Sequence, residues 1–383
     1  MTASLRILQV ANHAGPFYVF LRPLTQALVE NGMSVELACM PCHPCWEPLR
    51  ACGVPVHSLP AGSWRNPTTW VRVYQRLQRL LDQGGYDLMV AHTPAMSWIA
   101  RVAARRATCR TVYYAHGLPF SPDQPILQRS LYRFVETRLA AFTDAILVMN
   151  SDDMSVCRTT RLTRDGRHCY YVPGVGVDVA RFDQSTSDAW QAYEAHATPR
   201  SGRPMVLFLG RFIRAKRPHD VLSIAEELKD YAEIVMAGDG PLWQSVHRRA
   251  ARIGDHVRVL PFLKEPTPLF VRCSVVVLPS VFREGLPRVL LEAAAAGKPA
   301  VAYNVRGARD VIEHGKTGFL APPKDVKAMT ESVRTLLADS TMRQRMGQAA
   351  RERVIARFSV KASVDAAIRA IQNLISSTGP ESR

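Results

Sequence analysis

The sequence predicts an α/β protein of two doubly wound halves, each a parallel sheet covered by helices on both faces. Three observations carry that reading. Strand-like apolar runs alternate with helical patterns along the chain, the rhythm of βαβ units. The rhythm breaks at 183–204 in the polar, turn-rich stretch DQSTSDAWQAYEAHATPRSGRP. A length of 383 residues suits two domains of ordinary size.

Each element has a local reason. LRILQV (5–10) is an apolar run, and ANHAGP (11–16) reads as the turn that follows it. Helical spacing runs from Phe17 to Glu30 and closes at Asn31-Gly32, a C-cap signal. MSVELAC (33–39) is the second strand. A helix over Trp70–Leu81 leads through Gly84-Gly85 to the strand YDLMVAH (86–92). A helix over Ala95–Arg106, the strand TVYYAHG (111–117), a helical pattern over 125–142 and the strand DAILVMN (144–150) complete the first series. PMVLFLG (204–210) opens the second, followed by AEIVMAG (232–238), HVRVLPF (256–262), SVVVLPS (274–280) and KPAVAYN (298–304). Asp339 to Leu374 is helical. The expected organisation is a first domain over 1–182, a linker over 183–203 and a second domain over 204–358. A C-terminal helix in 359–383 is expected to turn back towards the first domain.

Composition narrows the function. Hydrophobic residues make up 47% and charged residues 21%, which excludes wholesale disorder, collagen and coiled coil. No apolar run is long enough to span a bilayer. The start, MTASLRILQV, lacks the features of a secretory signal, so a cytoplasmic protein is expected. The net charge is +16, which calls for an acidic partner such as nucleic acid, a phosphorylated substrate or an anionic membrane. Between Pro48 and Pro122 there are nine arginines and only two acids, Asp82 and Asp87. Cys39, Cys42 and Cys45 surround His43, a spacing compatible with a shared metal ion or with reduced thiols in a loop. No second cluster completes a metal site, so none is assigned.

In doubly wound sheets ligands bind outside the carboxyl ends of the strands, so the chemistry is sought in the loops there. In GRFIRAKRP (210–218), Arg211 comes straight off a strand and Lys216 lies across the turn. Such a pair can clamp a diphosphate, the Arg by its planar fork and the Lys as a point charge. In REGLPRVLLEAAAAGKP (283–299), Gly285 permits close backbone approach and Pro287 sits where a helix begins. The free N–H groups of that helix start form an anion site. Glu284 precedes the helix and Glu292 lies inside it. Two carboxylates beside an anion site suit a ligand that carries hydroxyls around its phosphates, as a nucleotide sugar does. His116, at a strand end before Gly117, either caps the sheet edge or orients a sugar hydroxyl as a neutral imidazole.

Two Glu eight residues apart in the frame REGLPRVLLEAAAAGKPAV resemble the signature of glycosyltransferase family 4, retaining enzymes of the GT-B fold that use nucleotide-sugar donors. RGARDVIEHGKTGFLAPPKD (306–325), GRFIRAKRP and MAGDGPL (236–242) fall where that family has corresponding motifs. HGLPF (116–120), TDAILVMNSDD (143–153) and VPGVGVDVARF (172–182) resemble the subgroup that builds bacterial surface polysaccharides and lipid-linked oligosaccharides. The resemblance implies two Rossmann-like domains facing a central cleft, the first for the acceptor and the second for the donor. It implies that Arg211 and Lys216 hold the donor diphosphate and that Glu292 binds the ribose hydroxyls. Glu284 then binds the transferred sugar near its C3, and Gly285, Leu286 and Pro287 line sugar and phosphates by their backbone. The base lies near Phe262 and Leu263, His116 contacts the donor sugar, and Gly15 lets the first loop approach the phosphates. The assigned catalytic set is His116, Glu284, Arg211 and Lys216. Two departures stand out: HAGPF replaces the family's frequent pair of adjacent glycines, and LPF lacks a frequent glycine in the base-contacting strand.

The implied reaction is retaining transfer from a nucleotide sugar, UDP-linked by the subgroup's habit, to a polyprenyl-diphosphate-linked or oligosaccharide acceptor. The chain contains no D-x-D triplet, so cations and a helix start are expected to replace a divalent metal, and no cofactor is expected. Apolar residues at 70, 73, 77, 80 and 81 with Arg72, Arg76 and Arg79 suggest an interfacial helix on an anionic inner membrane, or else an amphipathic helix packed on the sheet. Three other readings fit less well. A nucleotide-sugar 2-epimerase would not need the Glu pair. A nucleic-acid-binding module would show one of the usual binding motifs, so no nucleic acid is expected. A dehydrogenase would carry G-x-G-x-x-G in place of ANHAGP.

Overall fold

A computed structural model describes residues 4–64, 66–121, 124–183, 202–281 and 285–377. The chain divides into two compact units, one of residues 1–175 with 361–383 and one of 176–360.

The first unit holds a seven-stranded sheet of order β3-β2-β1-β4-β5-β6-β7. Its strands are β1 (Arg6–His13), β2 (Ser34–Met40), β3 (Val56–Ser58), β4 (Leu88–His92), β5 (Arg110–Ala115), β6 (Ala145–Val148) and β7 (Cys169–Tyr171). All neighbours pair in parallel. Strands buried on both faces must be apolar throughout, and β4 is buried at every residue. The second unit holds a six-stranded sheet of order β10-β9-β8-β11-β12-β13, again all parallel. Its strands are β8 (Met205–Leu209), β9 (Glu233–Ala237), β10 (Val257–Leu260), β11 (Val275–Leu278), β12 (Ala300–Tyr303) and β13 (Gly318–Ala321). The expected strands all form. The sequence reading missed β3, β7 and β13, each of three or four residues and each at the outer edge of a sheet. Edge strands this short carry too little apolar periodicity to register.

Most of the expected linker over 183–203 lies outside the described residues. The chain enters the second unit ahead of residue 182, because Val177 and Phe182 are buried in that unit's core. There Val177 exchanges backbone bonds with Phe358 and Val360. Gly176 has φ +75°, and a Cβ on it would lie 2.5 Å from the Cα of Val360, so only glycine fits the crossing. The helix Val360–Ser376 packs within the first unit, where Ser363 donates to the Pro173 carbonyl at 2.8 Å and Arg110 to that of Leu374 at 2.6 Å.

The expected helix over 70–81 forms as Pro67–Gly84, capped by the Asn66 side chain at its start and by Gly85 at φ +56° at its end. Val73, Leu77, Leu80 and Leu81 are buried in the first unit's core, with Trp64 and Trp70 packed against it. Trp70 donates its indole N–H to the Trp64 carbonyl at 2.8 Å. The apolar face read as interfacial is therefore the face that covers the sheet, and the membrane reading of this helix is corrected. Burying those four side chains is worth more than laying them on a headgroup layer, since the sheet would otherwise be bare.

A different helix is oriented by a buried charge. Ile126–Leu139 was expected to run over 125–142; it ends at Leu139 and tightens into a single 3₁₀ turn at Ala140–Phe142. Glu136 is fully buried and meets the equally buried Arg101 at 2.8 Å, while Trp98 Nε1 donates to its other oxygen at 2.7 Å. The Arg101 guanidinium also lies over the Tyr113 ring, 4.5 Å from its centroid. Removing one member of such a pair strands the other. Glu136→Ala is therefore expected to cost about 3–5 kcal/mol in urea unfolding. A loss below about 1 kcal/mol would show that the pair does not anchor this helix.

Candidate active site

Each sheet reverses its strand order once, between β1 and β4 in the first unit and between β8 and β11 in the second. Loops leaving neighbouring strands at such a point diverge to opposite faces and leave a crevice at the carboxyl edge. Of the candidate residues, Gly15 follows β1, Arg211 and Lys216 follow β8, and Gly285, Leu286 and Pro287 follow β11, the strands at these two points.

In the second unit, Arg211 leaves β8 with its side chain exposed. Its loop is clamped from below. Phe212 N–H donates to the Asp239 carbonyl at 2.5 Å, and Leu242 N–H donates to the Phe212 carbonyl at 2.9 Å. Gly238, at φ +154°, presses so closely that a Cβ would lie 2.0 Å from the Gly210 carbonyl oxygen. This explains the glycines in MAGDGPL: the two loops must touch backbone to backbone. Lys216 closes the 3₁₀ turn Arg214–Lys216. The next residue, Arg217, is held at φ +47° and grips Asp220 through Nε at 2.5 Å and Nη2 at 2.9 Å. Tyr303 donates to the same carboxylate at 2.6 Å. Arg217 is thus spent on structure, and Asp220 holds it in its charged form.

The loop after β11 comes to this turn directly, with Val281 N–H donating to the Ala215 carbonyl at 3.0 Å. Glu284 lies outside the described residues. Gly285 and Pro287 are buried and Leu286 is half-buried, and Pro287 immediately precedes the helix Arg288–Ala295. The structure therefore brings the Lys216 turn and the 285–287 helix start to the two sides of one switch point. Glu292 is buried in that helix, and Arg288 Nε donates to its Oε1 at 2.9 Å. Burial pushes the Glu292 carboxyl above its ordinary range, against the pull of Arg288 and the more distant Arg181. Arg181 pairs with Glu265 at 2.5 Å, and both charges reach Glu292, so the segment after β10 adjoins this helix. In that segment Leu263 is buried in the core whereas Phe262 is 68% exposed. Of the pair, Phe262 alone offers a free face to a ligand.

In the first unit, His116 follows β5 and Gly15 follows β1. His13 Nδ1 accepts from the Gly15 N–H at 3.2 Å, and a Cβ on Gly15 would lie 2.9 Å from the His13 ring. The glycine is needed for this cap, and the cap uses His13. Cys42 Sγ lies 3.7 Å from the same nitrogen, while Cys39 is buried in β2. Among the described residues no group of three or more His, Cys, Asp or Glu is placed to hold a metal ion.

His116 ends a buried hydrogen-bond chain that sequence reading missed. Its Nε2 is 3.1 Å from His92 Nδ1, His92 Nε2 is 3.1 Å from Gln9 Oε1, and Gln9 Nε2 is 3.0 Å from Thr25 Oγ1. Thr25 in turn donates to the Leu21 carbonyl at 3.2 Å. That carbonyl can only accept, so the whole chain has one polarity. Thr25 must accept from the Gln9 amide, Gln9 must accept from His92 Nε2–H, and His92 Nδ1 must accept from His116 Nε2–H. His116 is left with Nδ1 as an acceptor. Burial lowers its pKa to about 4, and His92 is lowered further by burial and by the neighbouring imidazole. The His116 loop is also tied at Leu118, whose N–H donates to Asp153 at 3.0 Å. Thr25 gives no local signal, whereas Gln9, a polar residue inside an apolar strand, was the available clue.

Two parallel, doubly wound sheets, each with a single switch point, are the architecture of the GT-B fold. The chain belongs to the glycosyltransferase family described by two domain models, a glycosyl transferase 4-like domain over residues 19–174 and glycosyl transferases group 1 over residues 192–353. EpsD of Bacillus subtilis is 29% identical over 301 residues, 76% of this chain and 78% of EpsD. UDP-Gal:alpha-D-GlcNAc-diphosphoundecaprenol alpha-1,3-galactosyltransferase of Escherichia coli is 23% identical over 301 residues, 76% of either chain. Among solved structures, a glycosyltransferase from Rickettsia africae matches with a TM-score of 0.81 at 16% identity, covering 98% of this chain and 100% of its own. Anabaena HepE, solved in complex with UDP, matches with a TM-score of 0.78 at 18% identity, covering 97% and 100%.

The histidine chain has a consequence for stability. Between about pH 4 and pH 6.5 the unfolded chain binds a proton at His116 that the folded chain does not. Stability is therefore expected to fall on acidification through that window, by about 2 kcal/mol between pH 7.5 and pH 5 from His116 alone. Urea unfolding of wild type and His116→Gln at the two pH values checks this. An identical pH slope in the variant would contradict it.

Proposed function

We propose that this glycosyltransferase moves a sugar, with retention, from a UDP-sugar to a lipid-diphosphate-linked glycan acceptor at the cytoplasmic face of the membrane. The observation that supports the reading is the hydrogen bond from Val281 to Ala215, which ties the Lys216 turn to the loop leaving β11, the strand that precedes the helix bearing Glu292. The named activity of the Escherichia coli relative supports the choice of UDP and of a lipid-linked acceptor.

The chemistry follows from these groups. As the bond from the anomeric carbon to the diphosphate breaks, negative charge gathers on the leaving oxygen. We assign the stabilisation of that charge to Arg211, Lys216 and the N–H groups at the 285–287 helix start. This is the work a divalent metal performs elsewhere, and we assign it to these residues with no metal and no cofactor. The leaving phosphate oxygen takes the acceptor hydroxyl's proton, so no separate protein base is needed. Glu292 accepts from the ribose hydroxyls through Oε2, the oxygen Arg288 leaves open, and Phe262 offers its exposed face to the base. Glu284 binds the transferred sugar. His116, neutral at physiological pH, accepts from a sugar hydroxyl at Nδ1 and can do so only while His92 holds its Nε2–H. Gly15 lines the approach to the phosphates.

Transfer of label from a panel of radioactive nucleotide sugars into membrane lipid extract, with EDTA present, tests the whole reading. Wild type is expected to label lipid from a UDP-sugar. Lys216→Ala is expected to lose about 10²- to 10³-fold in kcat, and Glu284→Ala to fall at least as far. Abolition by EDTA would overturn metal independence, and full activity in Glu284→Ala would overturn the sugar-binding assignment. Turnover of the donor without any acceptor would replace transfer by epimerisation. Thr25→Val breaks the histidine chain far from the substrate; a loss of kcat near neutral pH, restored by Thr25→Ser, is the expected mark of a positioning role.

A further inference from the structure

The helix Ile126–Leu139 is amphipathic with its faces exchanged. Its inward face carries the buried charge, Glu136, locked to Arg101 and Trp98. Its outward face is apolar. Leu127 is 84% exposed, Leu131 58% and Phe134 55%, and at four- and three-residue spacing they stand in one row, with Ile126, 74% exposed, beside them. This is the largest set of exposed large apolar side chains on any one helix among the described residues. Arg138 continues the row with its guanidinium 5.0 Å from the Phe134 ring centroid, and Arg133 flanks it. The helix has no other acidic residue than the buried Glu136.

We infer that this face docks on an anionic bilayer, the helix lying in the plane of the headgroups with Leu127, Leu131 and Phe134 below them. An apolar row on a helix whose charged residues outside the core are all arginines matches an interface that offers hydrocarbon beneath and negative charge around. A second copy of the chain fits poorly, because a symmetric contact would set arginines of one copy against those of the other. The setting agrees, since nine arginines and two acids occupy 48–122 of the same unit. No helix among the described residues is long and apolar enough to cross a membrane, so a surface contact of this kind would have to serve. Docking also has a consequence for the reaction. The ten residues from His116 to Ile126 span at most about 35 Å of extended chain, so the carboxyl edge of this sheet is kept near the bilayer that holds a lipid-linked acceptor. The inference deepens the membrane-face reading above and rests on it.

Sedimentation with phosphatidylglycerol/phosphatidylcholine vesicles tests it, using wild type, the triple variant Leu127→Ser/Leu131→Ser/Phe134→Ser, and Val71→Ser as a control on the exposed side of helix 67–84. Wild type is expected to bind at low salt, to leave at high salt, and to ignore vesicles of phosphatidylcholine alone. The triple variant is expected to bind at least about tenfold more weakly, and the control as wild type does. Circular dichroism and UDP binding, both unchanged in the triple variant, establish that it is folded; the single variant Leu127→Ser, at the most exposed position, provides a milder version. If wild type binds no vesicle at any ionic strength, the membrane-face reading and this surface fall together. If wild type binds and the triple variant binds equally, this surface is wrong while the membrane reading survives. If wild type is a dimer without lipid and the triple variant a monomer, the occupant is a second copy and the proposal is overturned.

Discussion

The parallel pairing of β8 with β11, Val206 with Val275 and Leu207 with Val276, is the contact on which the proposed donor site depends. Because the strand order reverses there, the loop after β8 and the loop after β11 leave the sheet together and turn apart. No helix can close the gap between them. The cations come from one loop and the backbone donors from the other. The proposed diphosphate site needs both loops, and the hydrogen bond from Val281 to Ala215 ties one to the other.

Around this edge several charges hold the loops in place. Arg217 and Arg288 lie within a turn of Lys216 and Glu292, yet both are engaged, Arg217 with Asp220 and Arg288 with Glu292. These pairs hold the turn after β8 and the helix after β11, so the proposed site would have little ordering left to do on binding. The first unit follows the same logic with neutral groups. A chain of amide, hydroxyl and imidazole anchored on a helix carbonyl selects one tautomer of His116. A buried carboxylate, Asp153, restrains the loop that follows it.

The helix 126–139 illustrates how one buried polar contact can determine what a surface offers. Rotating its apolar row inward would carry Glu136 into water and leave Arg101 buried without its counter-charge. That loss, together with exposure of the now buried Leu139, opposes what burying three exposed apolar side chains would return. The helix therefore keeps its charge inside and presents leucine and phenylalanine outside. Helix 67–84 has no buried charge and takes the ordinary orientation, apolar side to the sheet.

Much of this was present in the sequence. The apolar runs were long enough to reveal every central strand, since strands buried on both faces admit few polar residues. Arg211, Lys216, Gly285, Leu286, Pro287 and Glu292 could be singled out because their chemistry is carried by residue types at short, recognisable spacings. The short edge strands β3, β7 and β13, the roles of His92, Gln9 and Thr25, and the orientation of the two amphipathic helices could not. Gln9 and His92 are 83 residues apart, and a hydrogen bond between them leaves no mark in either local pattern. Helical periodicity states that a helix has an apolar side but not which medium that side faces. That was decided by tertiary contacts, by the sheet beneath Val73 and Leu77 in one helix and by the buried Arg101 beneath Glu136 in the other.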